Sequence, residues 1–287
     1  MTESPFPPAP AVMREHPCFD SEAHERIGRV HLPVAPRCNI HCRFCERVVC
    51  ASQCEQHPGW ARKLLTPSEA MELVRRLVRA HPAEPFVVGV AGPGEPLANA
   101  ATLQVLRQVH EVFPSLLKCV STNGLLLEQS LPELLKAGVR TLTVTVNGPD
   151  SAIGQHIYAW VRHQGKTLRG VEAAELLIAC QTPGTEMALR AGLAVKVNTV
   201  LIPGINDQHV VRLARRLASL GVHLMNIMPL IPGGAMANRR APTRRELQLA
   251  RSSCGQVIWQ FDKCRQCSAD VVCFPGLKAP SCLLSAP

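Results

Sequence analysis

Residues 37–50 read RCNIHCRFCERVVC and put Cys38, Cys42, Cys45 and Cys50 within fourteen positions, the first three spaced C-x3-C-x2-C. They follow an apolar, β-branched run at 30–35 that reads as a strand, so the thiols occupy the loop after a first strand. Thiols this dense in a chain without an export signal point to metal binding or redox chemistry rather than disulfides. Three cysteines at this spacing can wrap three corners of a cubic 4Fe–4S cluster. The fourth iron then lacks a protein ligand and implies an exogenous one, because such clusters otherwise take four thiolates. Zinc, the rival reading, more commonly uses tetrahedral sets built from C-x2-C pairs.

Outward from this loop, further strand-like runs lie at 86–91, 117–122, 141–146, 194–202 and 223–230. Several are continuously apolar or β-branched, as in strands covered on both faces. Helix-like segments separate them. Thr66, Pro67, Ser68 and Glu69 form a capping box with proline at the first helical position, followed by Leu73, Val74, Leu77 and Val78 on one face. Thr243 and Glu246 repeat that signature before Leu247 and Leu249. Other helices are expected at 101–112, 131–136, 171–190 and 207–220. The β-then-α alternation predicts an α/β protein with a parallel sheet, open or closed into a barrel, of about six units, fewer than the eight of a full TIM barrel. In such a barrel the thiol loop lies at the C-terminal mouth of the strands, where active sites sit.

Three regions are expected: a Pro-rich disordered tail at 1–15, a core at 16–253 and a cysteine-rich tail at 254–287. The last shows no clear periodicity and reads as an irregular segment organised by ligation. The 287 residues are 46% hydrophobic and 18% charged, with mean hydropathy +0.06. No apolar run approaches the roughly 20 residues needed to span a bilayer, and residues 1–17 have no signal-peptide pattern, so a cytoplasmic protein is expected. Thirteen cysteines are too many, and odd in number, for a fully paired monomer. The net charge of +9 reads as solvated surface, its densest stretch being Arg239, Arg240, Arg244 and Arg245 at a helix start. With 4% aromatic residues there is no evident base-stacking surface. Neither nucleic acid nor membrane is expected as a partner.

With Phe44 before Cys45, the loop resembles the C-x3-C-x-φ-C signature of the radical S-adenosylmethionine (SAM) superfamily. The resemblance implies a (β/α)6 partial TIM-type barrel whose open iron is chelated by the amino and carboxylate groups of SAM. Reduction then cleaves SAM to methionine and a 5′-deoxyadenosyl radical. AGPGEPLAN at 91–99 matches the superfamily's glycine-rich motif. Gly92 and Gly94 are expected to let backbone approach the methionine end of SAM, and Glu95 to accept from its ammonium. Ser121, Thr145, Asn147 and Asn198 end later strands, where they can meet SAM's ribose or carboxylate.

A longer resemblance is to the NifB family of nitrogenase cofactor maturases. It is carried by HPCFDSEAH (16–24), HLPVAPRCNIHCRFC (31–45), AGPGEPLAN (91–99), CVSTNGL (119–125), KVNTVLIPGIND (196–207), NIMPLI (226–231) and CRQCSAD (264–270), in the family's order. VTVN (144–147) and IYAW (157–160) add to it. The family fuses two 4Fe–4S units into an 8Fe–9S cluster with a central carbide from SAM. Carried over, Cys38, Cys42 and Cys45 hold the SAM cluster; His24, Cys50 and Cys119 hold one substrate cluster; Cys18, Cys264 and Cys267 hold the other. Cys54 rivals Cys50, and C-x2-C at 264–267 taken alone would equally suit zinc. Cys180 reads as packing, and Cys254, Cys273 and Cys282 have no assigned role. The resemblance implies a stand-alone form without a carrier domain, monomeric, served by iron–sulfur cluster donors and a reductant such as a ferredoxin. A cofactor carrier or nitrogenase scaffold would receive the product. Two other readings stay open: a radical SAM enzyme whose auxiliary clusters serve modification of a peptide or small molecule, and a zinc or iron–sulfur carrier.

Overall fold

All six expected strands form and lie parallel. The computed structural model describes residues 10–52 and 57–275, and the backbone of 281–282. Its strands are β1 (Gly28–His31), β2 (Ile40–Cys42), β3 (Val48–Val49), β4 (Trp60–Ala61), β5 (Phe86–Val90), β6 (Leu117–Thr122), β7 (Val139–Thr145), β8 (Tyr158–His163), β9 (Lys166–Leu168), β10 (Ala194–Leu201), β11 (Leu224–Pro229), β12 (Val271–Cys273) and β13 (Ser281–Cys282). Its helices are α1 (Ser21–Arg26), α2 (Pro67–Ala80), α3 (Ala100–Val112), α4 (Leu127–Lys136), α5 (Ser151–Ile157), α6 (Gly170–Arg190), α7 (Val210–Ser219) and α8 (Arg244–Gly255). The main sheet runs β11-β10-β7-β6-β5-β1-β12-β13, with the pairs from β11 to β1 parallel. It is a curled half-barrel with helices on its convex side. No helix among the described residues is long and apolar enough to cross a membrane.

The two faces of the sheet differ in chemistry. Val30, Val88, Val120, Leu142, Val144, Val195, Val197 and Ile227 face outward into the main core, against Leu73, Val74, Leu77, Val105, Leu134 and Leu213 of the helices. The alternate positions face a cavity, where polar side chains (Arg29, His31, Cys119, Ser121, Thr143, Lys196 and Asn198) are interleaved with Val87, Gly89, Val200 and Met228. Apolar cover on both faces, expected from the strand composition, is therefore complete only on the helix side.

Several boundaries differ from expectation for physical reasons. β1 ends at His31 because Pro33 has no N–H to donate to the ladder. α4 begins at Leu127 and passes through Pro132, because Leu127, Leu131 and Leu134 share a buried face. The antiparallel sheet β2-β8-β9 was not anticipated. Its turn, Gln164–Gly165, has positive φ at both residues (48° and 76°), as a two-residue hairpin requires.

The ends of the chain also differ from expectation. Disorder was expected through residue 15, yet Ala11–Glu15 forms a 3-10 turn with Val12 and Met13 buried. Residues 1–9 lie outside the described set. Val12, Met13 and Phe19 pack with Leu117, Ala194 and Leu224 at the strand starts, so this segment plugs the N-terminal end of the half-barrel. The expected tail boundary at 254 falls inside α8, where Cys254 is fully buried. Nor is the tail wholly irregular: β12 adds to the sheet antiparallel to β1, with Arg29 opposite Cys273.

Candidate active site

A cavity of about 290 Å³ runs through the concave side of the half-barrel. Cys42 and Cys45 line it. Cys42 closes β2, and the turn that follows is fixed by Arg43 N donating to the Ile157 carbonyl (2.8 Å) and Cys45 N to that of Cys42 (3.0 Å). The start of the loop rests on the 91–99 motif. The Ala35 carbonyl accepts from Gly94 N (2.6 Å), and the Arg37 carbonyl accepts from Glu95 N (2.8 Å) and Asn99 Nδ2 (2.8 Å). Any Cβ at residue 94 would collide with the Arg37 carbonyl. This glycine is thus required by close approach to the thiol loop itself. Burial pushes the Cys38 thiol up to about 11. It raises Cys42 well above the usual thiol range, with Cys45 and Cys38 adding to the effect, and raises Cys45 too. The three are close enough to feel one another, and in the absence of metal they are held as thiols that a bound metal would deprotonate.

Of the residues expected near SAM, Ser121, Thr145 and Asn198 line the cavity, as do Ala91 and Pro93 on either side of Gly92. Gly92 itself has φ +151°, a conformation suited to glycine. Glu95 and Asn147 do not line it. The buried Glu95 carboxylate accepts from Thr122 Oγ1 (2.5 Å), Asn123 N (2.7 Å) and Leu97 N (3.0 Å), tying the glycine-rich turn to the end of β6. Burial pushes its carboxyl up to about 7. Asn147 Oδ1 accepts from Val200 N (2.9 Å), and its carbonyl accepts from Asn206 Nδ2 (2.8 Å), so it clasps β7 to β10.

Cys18, His24, Cys119, Cys264 and Cys267 line the same cavity. The N-terminal pair is set by α1, whose cap Asp20 accepts from Glu22 N (2.9 Å) and Ala23 N (2.8 Å). His24 Nδ1 donates to the Pro17 carbonyl (2.7 Å), which leaves Nε2 as a lone-pair donor. Burial lowers the His24 pKa, so its ring is neutral at pH 7. Cys119 follows from the inward alternation of β6, and burial pushes its thiol up to about 12. The tail is pinned across the cavity by four contacts: Gln266 Nε2 to the Pro229 carbonyl (3.0 Å), His31 Nδ1 to that of Ser268 (3.1 Å), Ala269 N to that of Trp60 (2.8 Å) and Arg62 N to Asp270 Oδ2 (2.7 Å). Burial pushes the Cys267 thiol up to about 11.

The remaining cysteines separate from these. Cys50 is exposed, with Sγ 3.1 Å from Ser52 Oγ, and does not line the cavity. Its rival Cys54 lies outside the described residues, as does the side chain of Cys282. Cys180 and Cys254 pack in apolar clusters. Sequence reasoning missed His16, Arg29, His31, His57 and Lys196, all of which line the cavity. Only the alternation of inward positions along β1 and β10 could have flagged Arg29, His31 and Lys196. Among the described residues, no three His, Cys, Asp or Glu side chains converge on a point that would hold a single ion.

A half-barrel with a C-x3-C-x2-C loop at the mouth of such a cavity defines a radical SAM enzyme. The family model for the radical SAM superfamily matches residues 32–217. Solved structures agree on the fold. SuiB of Streptococcus suis, bound to its precursor peptide, aligns with TM-score 0.58 at 13% identity, over 84% of this chain and 50% of that one. A radical SAM methyltransferase from Sphaerobacter thermophilus aligns with TM-score 0.54 at 20% identity, over 83% and 65%. Sequence relatives are more specific. The FeMo cofactor biosynthesis protein NifB of Methanocaldococcus jannaschii is 44% identical over 261 residues, 91% of this chain and 86% of that protein. The NifB of Klebsiella pneumoniae is 42% identical over 264 residues, 90% and 56%. The chain belongs to the NifB family of radical SAM enzymes, and its cofactors are 4Fe–4S clusters and SAM.

Proposed function

We propose that this enzyme fuses two 4Fe–4S clusters, with a carbide derived from SAM and an added sulfur, into the 8Fe–9S precursor of the nitrogenase cofactor. One observation carries the reading: Cys18, His24, Cys119, Cys264 and Cys267 open on the same space as Cys42 and Cys45. An enzyme that modifies a peptide or small molecule needs that space for its substrate, whereas here it is walled with iron ligands.

In this reading Cys38, Cys42 and Cys45 hold the 4Fe–4S cluster that, when bound, supplies reductive cleavage of SAM. Ser121, Thr145 and Asn198 offer hydroxyl and amide groups to SAM from the strand ends. Gly92, Gly94, Glu95 and Asn147 act one step back, shaping the turn and the β7–β10 junction that position those groups. His24 and Cys119 grip one substrate cluster from the cavity wall; Cys50, the third ligand that the family resemblance implies, lies outside the cavity, its N–H donating to the Ala61 carbonyl (3.1 Å). Cys18, Cys264 and Cys267 grip the other. Three protein ligands per cluster, not four, favour release of the product. The neutral imidazole of His24 leaves iron more readily than a thiolate does. The half-barrel supplies the radical chemistry, and the segment after α8 that carries Cys264 and Cys267 closes the cluster site. We place the enzyme in the cytoplasm as a monomer. Iron–sulfur donors charge it, a ferredoxin-type reductant serves it, and a carrier or nitrogenase scaffold takes the product.

The test is iron analysis with EPR on anaerobically reconstituted protein, before and after SAM. Three clusters, about 12 irons per chain, with loss of the separate substrate-cluster signals on adding SAM and reductant, are expected. Iron equivalent to a single cluster would sink the reading.

A further inference from the structure

Two cations stand inside the cavity without a carboxylate. Arg29 on β1 is 3% exposed, and its Nε and Nη2 have no hydrogen-bond partner. Lys196 on β10 is also 3% exposed; its Nζ donates to the Cys18 carbonyl (2.9 Å) and lies 5.0 and 5.4 Å from the ring centres of Phe19 and Phe261. Among the described residues neither pairs with an acid. Burying a charge without an opposite one is strongly unfavourable, so a cation held like this in a fold implies an anion that arrives later. Arg29 lies near the thiols of Cys267, Cys18 and Cys273 and near the imidazoles of His16 and His31, and it lines the cavity together with Cys18 and Cys267. Cys273 is its cross-strand neighbour on β12, so the two side chains share the inner face.

We propose that Arg29 and Lys196 are positioning residues that anchor, by charge, the substrate cluster gripped by Cys18, Cys264 and Cys267. This rests on the ligand assignment above. A 4Fe–4S unit bound by three thiolates is a net anion, and the sulfides at its corners accept hydrogen bonds. The orphaned guanidinium donors of Arg29 face the wall where that anion would sit, and Lys196 holds the backbone of one of its ligands. The other substrate set contains a neutral imidazole in place of one thiolate and so carries less negative charge. The cations therefore bias the cavity: the all-thiolate cluster is retained more firmly and is more easily reduced, while its partner stays mobile for fusion.

The experiment compares anaerobically reconstituted wild type, Arg29→Met, Arg29→Lys and Lys196→Met, with Cys264→Ala marking loss of this cluster. Iron release to a chelator, EPR-monitored redox titration and far-UV circular dichroism are read on each. A chelator is expected to strip about a third of the iron from Arg29→Met several-fold faster than from wild type, the share of one cluster in three. The signal missing from Cys264→Ala should titrate at a more negative midpoint in Arg29→Met, since removing a nearby positive charge disfavours the reduced form. Arg29→Lys restores most of both properties. Lys196→Met shifts them in the same direction by less, and it serves as the test should Arg29→Met fail to fold. Wild-type iron retention and midpoints in folded Arg29→Met, or in Lys196→Met, overturn the proposal. Wild-type protein that itself holds one cluster overturns the functional reading instead.

Discussion

Two sets of metal-ligating side chains are built on different principles. Cys38, Cys42 and Cys45 come from a single loop, and chain spacing alone brings them together. Cys18, His24, Cys119, Cys264 and Cys267 come from the N-terminal segment, from β6 and from the tail, and share a cavity only when those segments have closed on the half-barrel. The electrostatics differ as well. The loop thiols feel the exposed Arg47, whereas two buried cations stand beside the dispersed set. A locally encoded site can form in a partly folded chain; a dispersed one reports on completed tertiary structure.

The contrast can be broken by mutation. Cys42→Ala is expected to have the largest effect, taking SAM cleavage down to background and product formation with it, as read by chromatography of 5′-deoxyadenosine. Cleavage persisting at the wild-type rate would remove the loop from its role. Cys264→Ala should separate the two sets. Cleavage remains detectable but no 8Fe product forms, measured by activation of nitrogenase that lacks its cofactor; delivery of active precursor by this variant would mean the tail is misassigned.

Gly94→Ala probes how the loop is seated. Its Cβ would meet the Arg37 carbonyl, so about 2 kcal/mol of stability should be lost, seen as a fall in denaturation midpoint. Gly192→Ala is the control, because φ is +82° there but nothing lies within 4 Å of the added carbon. A loss of SAM cleavage beyond the stability effect, in Gly94→Ala alone, would sharpen the link between the motif and the loop.

The smallest expected effect concerns Glu95. Its carboxyl is raised to about 7 from an unfolded value near 4.5, so the native state favours the proton. The corresponding stability is present below pH 4.5 and lost as pH rises through about 7. Glu95→Gln cannot titrate, so the Tm of wild type minus that of the variant should fall from pH 5 to pH 8. A constant gap would show that this carboxylate is not desolvated as the fold implies.

Much of this was legible beforehand, and the gaps have identifiable causes. Both capping boxes formed as read, at Thr66 with Glu69 and at Thr243 with Glu246, because each is closed by hydrogen bonds within four residues. The hairpin of β8 and β9 went unread although Gln164–Gly165 was its signal, since Tyr158 and Val161 are buried in a cluster that includes Ile40 of β2, Leu125 and Val200, residues distant in sequence. Glu95 and Asn147 looked like ligands because polar side chains at strand ends of a barrel either face the mouth or tie neighbouring loops. Nothing local separates those fates.

By itself the sequence determined a parallel α/β sheet of about six units, through the β-then-α alternation, and set three thiols in one loop, through their spacing. Both are short-range properties of a chain with fixed bond geometry. Only the tertiary structure decided which strand face turned inward, which cysteines beyond the loop met, and that Arg29 and Lys196 met them there. Those outcomes depend on sheet register and on how the termini are pinned, and such contacts between distant residues leave no periodic trace along the chain.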